Sequence, residues 1–197
     1  MKINREILRL AVPNVISNIT VPLMGLVATA IAGHIDARSS GATIGALAIG
    51  VSIFNFIYWN CSFVRMGTSG LTAQAFGAGD RAECSRMLAR ALLIGAALGL
   101  SVLLLQRPIG QAALRVMNGG EAVAAYFYAR VWAVPAGVML YALNGWYTGM
   151  QNAVIPMVTA ITVNVLHILF SLWFALWSGM GIEGIAWASV CGPCLPA

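Results

Sequence analysis

The order of apolar and polar positions along the chain predicts six membrane helices. The six apolar blocks cover residues 7–33, 43–66, 88–106, 122–148, 153–177 and 182–195. The blocks are continuous rather than alternating with a period of two, so they predict helices and not the strands of a barrel. A helix of about 20 residues crosses a hydrocarbon layer of about 30 Å, a length that the first five blocks reach. The sixth, with about 14 residues, is too short to span comfortably.

Composition supports the same class. Hydrophobic residues make up 60% of the 197 positions and charged residues only 9%, whereas an ordinary soluble domain is about 45–50% apolar and about 25% charged. We therefore expect an all-α polytopic membrane protein, with one transmembrane lobe over residues 1–197. The six acidic residues fall at block ends or in connections, and no catalytic motif stands in any block. The sequence predicts neither an enzyme nor a metal site.

The net charge of +5 does not predict nucleic-acid binding, because the basic residues lie between apolar blocks rather than on one face. One side of the membrane receives Lys2, Arg5, Arg9, Arg81, Arg86 and Arg90. The other side receives Arg38, Arg107 and Arg115. Arg65 and Arg130, at helix ends or inside helices, are left out of this comparison. The excess predicts a cytoplasmic N-terminus.

Polar residues inside the blocks indicate a cavity. Asn164, His167 and Ser171 follow i, i+3, i+7 spacing and share one helix face. Asn18 and Thr29 lie near one face of the first block. An imidazole with an ordinary pKa of about 6.5 can carry a proton. The alternative is that these groups make hydrogen bonds between helices, which contribute about 0.6 kcal/mol each.

Glycines and prolines predict how the blocks pack and bend. Three glycine pairs are four residues apart, which allows close approach of two membrane helices; they are Gly41 with Gly45, Gly95 with Gly99, and Gly145 with Gly149. Four prolines are expected to bend their blocks or mark their starts; they are Pro13, Pro22, Pro135 and Pro156.

Cys191 and Cys194 have the spacing of a redox motif. They lack the strand and helix context that a thiol oxidoreductase needs, so we assign them no function.

Three segments resemble a known family: "PNVISNITVPLMGLVATAIAGH" (13–34), "RMGTSGLTAQAFGAGD" (65–80) and "GIEGIAWASV" (181–190). They are similar to the N-terminal half of multidrug and toxic compound extrusion (MATE) transporters, in the DNA-damage-inducible branch. The resemblance implies the six-helix N-terminal lobe of a twelve-helix antiporter, with an incomplete sixth helix and a truncated reading frame. It also implies H⁺- or Na⁺-coupled efflux of small molecules, cationic or amphipathic, across a bacterial inner membrane, and pairing with a second lobe.

The family carries acids at two positions where this chain has none. Its first helix typically has Asp where Ala28 stands, and its fifth helix often has Asp where Ser171 stands. Without these carboxylates Na⁺ coupling through this lobe is doubtful, and His167 is a candidate proton carrier.

The residues expected to line the substrate and cation pathway are Asn18, Thr29, Asn164, His167 and Ser171. Arg65 is expected to anchor the inner end of the second helix through phosphate or carbonyl contacts. Two alternatives stay open: a membrane fragment that does not transport, being unstable alone or serving only as an interaction partner, and a lipid-linked-precursor flippase of the same superfamily. A cavity richer in cations would favour the flippase.

Overall fold

Eight α-helices make up most of the part of the chain that the computed structural model describes, residues 2–35 and 40–194. They are α1 (Lys2–Ile35), α2 (Ser40–Gly77), α3 (Arg81–Leu104), α4 (Gln106–Val116), α5 (Glu121–Arg130), α6 (Val134–Gly149), α7 (Val154–Leu172) and α8 (Gly181–Cys194). A 3₁₀ turn (Val131–Ala133) joins α5 to α6, and a π turn (Trp173–Trp177) follows α7. These ranges contain no strand.

The connection between α2 and α3 is much shorter than the gap between the predicted blocks 43–66 and 88–106. Only residues 78–80 lie outside helices. The Asp80 side chain caps α3 by accepting a 2.8 Å hydrogen bond from the Glu83 amide. Glu83 in turn pairs with Arg86 at 2.6 Å and with Arg90 at 3.2 Å. Charged residues therefore extend α3 beyond the apolar block, because Glu83, Arg86 and Arg90 lie on one helix face and can pair in water.

The fourth apolar block is a broken helix. Its residues divide into α5, the 3₁₀ turn and α6, with Pro135 in the first turn of α6. A proline has no amide hydrogen and its ring clashes with the carbonyl four residues earlier, so the regular helix cannot continue through this point. The predicted bend at Pro135 is confirmed, and it places Arg130 at the end of α5.

The connection between α3 and α5 forms the short helix α4 and then turns at Met117 and Asn118. Ile109 and Ala113 face the core, while Arg107 and Arg115 are exposed. This two-sided pattern fits a helix lying at the membrane surface.

Glycines set the closest helix contacts. A Cβ added at Gly99 would lie 2.4 Å from Pro135 Cα of α6, and one at Gly145 would lie 2.5 Å from the Arg65 carbonyl oxygen of α2. The predicted contacts at 95/99 and 145/149 are therefore confirmed. The prediction for Gly41 and Gly45 is wrong for the described bundle, because no described atom lies within 4 Å of a Cβ added at either glycine.

Five stretches of the described residues are long and apolar enough to cross a membrane. They are Ala11–His34, Gly41–Gly77, Arg81–Leu104, Glu121–Gly149 and Val154–Ala175. Large apolar side chains on their outer faces are exposed, with Trp59 at 74% and Leu26 at 68%, as expected for surfaces that meet lipid. The shorter α8 packs against α7 and α5. The predicted sixth block extends to residue 195, which lies outside the described residues.

Candidate functional site

A cavity of about 250 Å³ lies among five helices of the bundle. Residues of α1, α2, α5, α7 and α8 line it: Met24, Gly25, Ala28, Thr29, Ile44, Leu47, Ala48, Val51, Asn55, Tyr126, Arg130, His167 and Ile185. Most of the lining is aliphatic, and five side chains carry polar groups. None of the thirteen lining residues is acidic.

His167 connects α7 to α8 through a directional chain of hydrogen bonds. Its Nε2 lies 2.9 Å from Ser189 Oγ, and its Nδ1 lies 3.4 Å from Ser171 Oγ. The Ser189 hydroxyl donates to the Ile185 carbonyl at 3.2 Å. Because a hydroxyl has a single proton to donate, Ser189 then accepts from Nε2–H and leaves Nδ1 as the acceptor for Ser171. The arrangement selects the Nε2–H tautomer and keeps both ring nitrogens bonded.

Arg130 brings a positive charge to the same cavity. Its guanidinium donates a hydrogen bond to the Tyr126 hydroxyl. Its Cζ lies 4.9 Å from the centre of the Phe54 ring and 5.6 Å from that of Tyr126, which are cation–π distances. Both rings are at most 1% exposed, so they fix the position of the guanidinium.

Arg130 was not among the predicted pathway residues. The charge pattern between the apolar blocks left it out, and His167 was the titratable group expected within the membrane. A signal was present, because a basic residue inside an apolar block usually points into the bundle or a water-filled space.

The structure brings together only some of the predicted pathway residues. Thr29 and His167 line the cavity, together with Ala28, and Ser171 is buried directly against His167. Thr29 donates its hydroxyl to the Gly25 carbonyl within its own helix.

Asn164 and Asn18 lie elsewhere. Asn164 borders a second cavity, also about 250 Å³, with Tyr58, Tyr141 and Asn144. Its amide donates a 2.8 Å hydrogen bond to Thr20 Oγ1 of α1. Asn18 is exposed on α1.

Arg65 is exposed on α2, and its carbonyl lies against Gly145 of α6. Because α2 continues beyond Arg65 to Gly77, this residue lies within the helix and not at its end as expected. Its role as an anchor stays a prediction.

Comparison with known proteins identifies the family. The MatE family model matches residues 13–173. The chain is 37% identical over 191 residues to DNA damage-inducible protein F of Escherichia coli (strain K12), an alignment covering 95% of this chain and 41% of the relative. It is 28% identical over 200 residues to the multidrug resistance protein MdtK of Pectobacterium atrosepticum, covering 94% and 42%. The chain thus spans about two fifths of the length of these relatives.

Solved structures share the fold. An outward-facing multidrug resistance MATE family transporter superposes with a TM-score of 0.87 at 21% identity, covering 97% of this chain and 42% of the other. The bent form of the Vibrio cholerae MATE transporter VcmN gives a TM-score of 0.79 at 19% identity, covering 98% and 44%. A family model that matches 13–173, and relatives that align along nearly the whole chain, lead to one conclusion: this multi-pass membrane protein belongs to the MatE family of transporters.

Proposed function

We propose that this chain forms one six-helix lobe of a cation-coupled efflux antiporter for small organic molecules, located in the inner membrane of a bacterium. The observation that carries the proposal is the cavity between α1, α2, α5, α7 and α8, which places His167 and four other polar side chains among membrane helices. Cavities of this kind between bundle helices are where membrane transporters hold substrates and coupling ions. The relative MdtK is named a multidrug resistance protein, which supports the substrate class.

The charge distribution supports a cytoplasmic N-terminus. The ion-pair cluster of Asp80, Glu83, Arg86 and Arg90 lies where α2 meets α3. Six basic residues give the proposed cytoplasmic side its excess of positive charge. Three of them, Arg81, Arg86 and Arg90, lie near the start of α3, and the other three lie before residue 10.

A second lobe would complete the pathway. Asn18 is exposed on α1 beside exposed Val15 and Ile19. An amide facing lipid is unfavourable, whereas one facing another lobe or water is not. Alternating access also needs two bodies that move against each other. We infer that the Asn18 face of α1 meets a second lobe.

Proton transfer through His167 is the proposed coupling step. The chain Ser171–His167–Ser189 keeps both ring nitrogens in hydrogen bonds. A proton arriving at Nδ1 turns that nitrogen into a donor, and the Ser171 hydroxyl can rotate to accept from it. The ring can therefore gain or lose a proton without leaving a buried polar atom unpaired. Thr29 lines the approach to this ring.

The first prediction tests transport itself. Cells lacking their own efflux pumps would express this chain, alone or with the part of the E. coli relative that the chain does not cover. We expect uncoupler-sensitive extrusion of a preloaded dye, ethidium as a cation or carboxyfluorescein as an anion, when both parts are present. Blots of the membrane fraction control for insertion. If neither dye is extruded although both parts are inserted, the transport function is rejected.

The second prediction concerns coupling. His167→Gln should remove most of the uncoupler-sensitive extrusion and flatten its dependence on external pH, because glutamine can hydrogen-bond but cannot carry the proton. His34→Gln is the matched control. The chain has two histidines, and His34 is exposed near the outer end of α1, where Nδ1 contacts the Ala30 carbonyl.

Initial extrusion rates measured over a series of external pH values would decide the role. An unchanged pH profile in the His167→Gln variant would remove His167 from the coupling mechanism. A profile that flattens equally in the His34→Gln variant would do the same, because the effect would then not be specific to the cavity.

A further inference from the structure

Arg130 is a cation inside a stretch that is long and apolar enough to cross a membrane. Its span begins at Glu121, and nine residues of helix at 1.5 Å each put Arg130 roughly 14 Å from that end. A guanidinium has five N–H donors. Among the described residues, the structure gives it one hydrogen-bond acceptor, the Tyr126 hydroxyl. A charge at this depth is costly unless something pairs with it.

No described carboxylate neutralises this charge. The ion pairs of the described residues all lie at the start of α3, between Asp80 or Glu83 and Arg86 or Arg90. The two other acids with described side chains, Glu121 and Glu183, are exposed in the first turns of α5 and α8. The aromatic contacts of Arg130 stabilise the position of its guanidinium but do not neutralise the positive charge.

The remaining groups of the cavity suit the rest of an organic anion. A guanidinium is a planar fork that matches the oxygens of carboxylate, sulfonate or phosphate. Asn55 lines the same space, and its side-chain amide offers N–H donors. Aliphatic side chains such as Leu47, Val51 and Ile185 supply an apolar wall on which a hydrocarbon or ring can pack.

We propose that this cavity binds small amphipathic organic anions, with the anionic group held by the Arg130 guanidinium and the apolar body packed against α1, α2 and α8. This proposal rests on the proposed transport function, because it names the class of substrate that the transporter would hold in this cavity. It differs from the expectation that the substrates are cationic, since the cavity presents a fixed positive charge and no described acid.

The test uses two ligands of similar size and opposite charge, benzenesulfonate and phenyltrimethylammonium. The full chain in nanodiscs of zwitterionic lipid would be titrated with each, and binding followed by saturation-transfer NMR at constant ionic strength. We expect benzenesulfonate to bind about tenfold or more tightly than the cation, as a charged hydrogen-bonding partner allows. Inorganic phosphate should compete more weakly, because it lacks the apolar body.

Three variants assign the effect to Arg130. Arg130→Gln should weaken benzenesulfonate binding by about tenfold or more, and Arg130→Lys should give an intermediate affinity, because lysine keeps the charge and loses the fork. Arg115→Gln is the matched control, since Arg115 is exposed on α4 and lines no part of the cavity.

The outcomes separate this proposal from the transport proposal. Benzenesulfonate binding that depends on Arg130, without dye extrusion in cells, would support the anion site and reject transport. Tighter binding of phenyltrimethylammonium by the unaltered chain would overturn the anion site. Equal benzenesulfonate affinity in Arg130→Gln and in Arg115→Gln would overturn it as well.

Discussion

Replacing Gly145 by alanine is expected to destabilise the bundle by about 1–3 kcal/mol or more. A Cβ at this position would lie 2.5 Å from the carbonyl oxygen of Arg65 and 3.2 Å from its Cα. These are backbone atoms in the middle of α2, so no side-chain rotation can relieve the clash, and α2 and α6 must separate. The measurement is the apparent melting temperature of the purified chain in detergent, read from the fraction that remains monodisperse after heating.

Gly45→Ala is the matched control for this change. Gly45 is also a helix residue at four-residue spacing from another glycine, but an added Cβ there has no neighbour within 4 Å in the part of the chain that the structure describes. Alanine favours helix over glycine by about 1 kcal/mol, so the Gly45→Ala chain should melt at the same temperature or slightly higher. Gly149→Ala, whose Cβ would lie 2.7 Å from the Ser69 carbonyl, should behave like Gly145→Ala. Equal melting temperatures for Gly145→Ala and Gly45→Ala would contradict the described contact between α2 and α6.

The glycine pairs show which part of the fold a sequence pattern can predict. A spacing of four residues places two small side chains on the same helix face, and this depends only on the geometry of that one helix. Whether another helix meets that face depends on how the whole bundle assembles. The pattern was therefore right for Gly99 and Gly145, which face α6 and α2, and wrong for Gly45, which faces open space.

The polar stripe of α7 illustrates the same limit at the site. Asn164, His167 and Ser171 share one face, as their spacing predicts. That face meets two neighbours at different heights, however, because Asn164 bonds Thr20 of α1 while His167 bonds Ser189 of α8. One stripe therefore serves two cavities.

The position of Arg130 at the cavity could not be predicted from the sequence for a related reason. Counting charges between apolar blocks reports which side of the membrane a connection occupies, and it carries no information on a charge inside a block. The break at Val131–Ala133 ends α5 at Arg130, and the packing of α5 against α2 and α8 places it at the cavity. Only the assembled bundle reveals that this cation and His167 line the same space.

Introducing a carboxylate into the cavity that Arg130 lines should reverse the charge preference of that cavity. Ala28 is partly buried and lines the cavity that Arg130 and His167 share. Opposite unit charges about 6 Å apart attract by about 3 kcal/mol at an effective dielectric constant of about 20. We therefore expect Ala28→Asp to weaken benzenesulfonate binding by about a hundredfold and to make phenyltrimethylammonium the better ligand. Both affinities can be measured by the same titrations in nanodiscs.

Ala28→Asn separates charge from volume, because asparagine has nearly the size and polarity of aspartate but no charge. It should keep most of the affinity for benzenesulfonate, and any loss that it shows reports the space taken from the ligand. The contrary outcome is that the Ala28→Asp and Ala28→Asn variants bind benzenesulfonate equally well. In that case the carboxylate at position 28 does not offset the positive charge that holds the anion. The anion would then be bound away from Arg130. If the aspartate variant alone loses the anion and gains the cation, one side chain on α1 sets the sign of charge that this lobe accepts. That result would show that the alanine at position 28, where the family typically has aspartate, determines the charge of the molecules that the cavity binds.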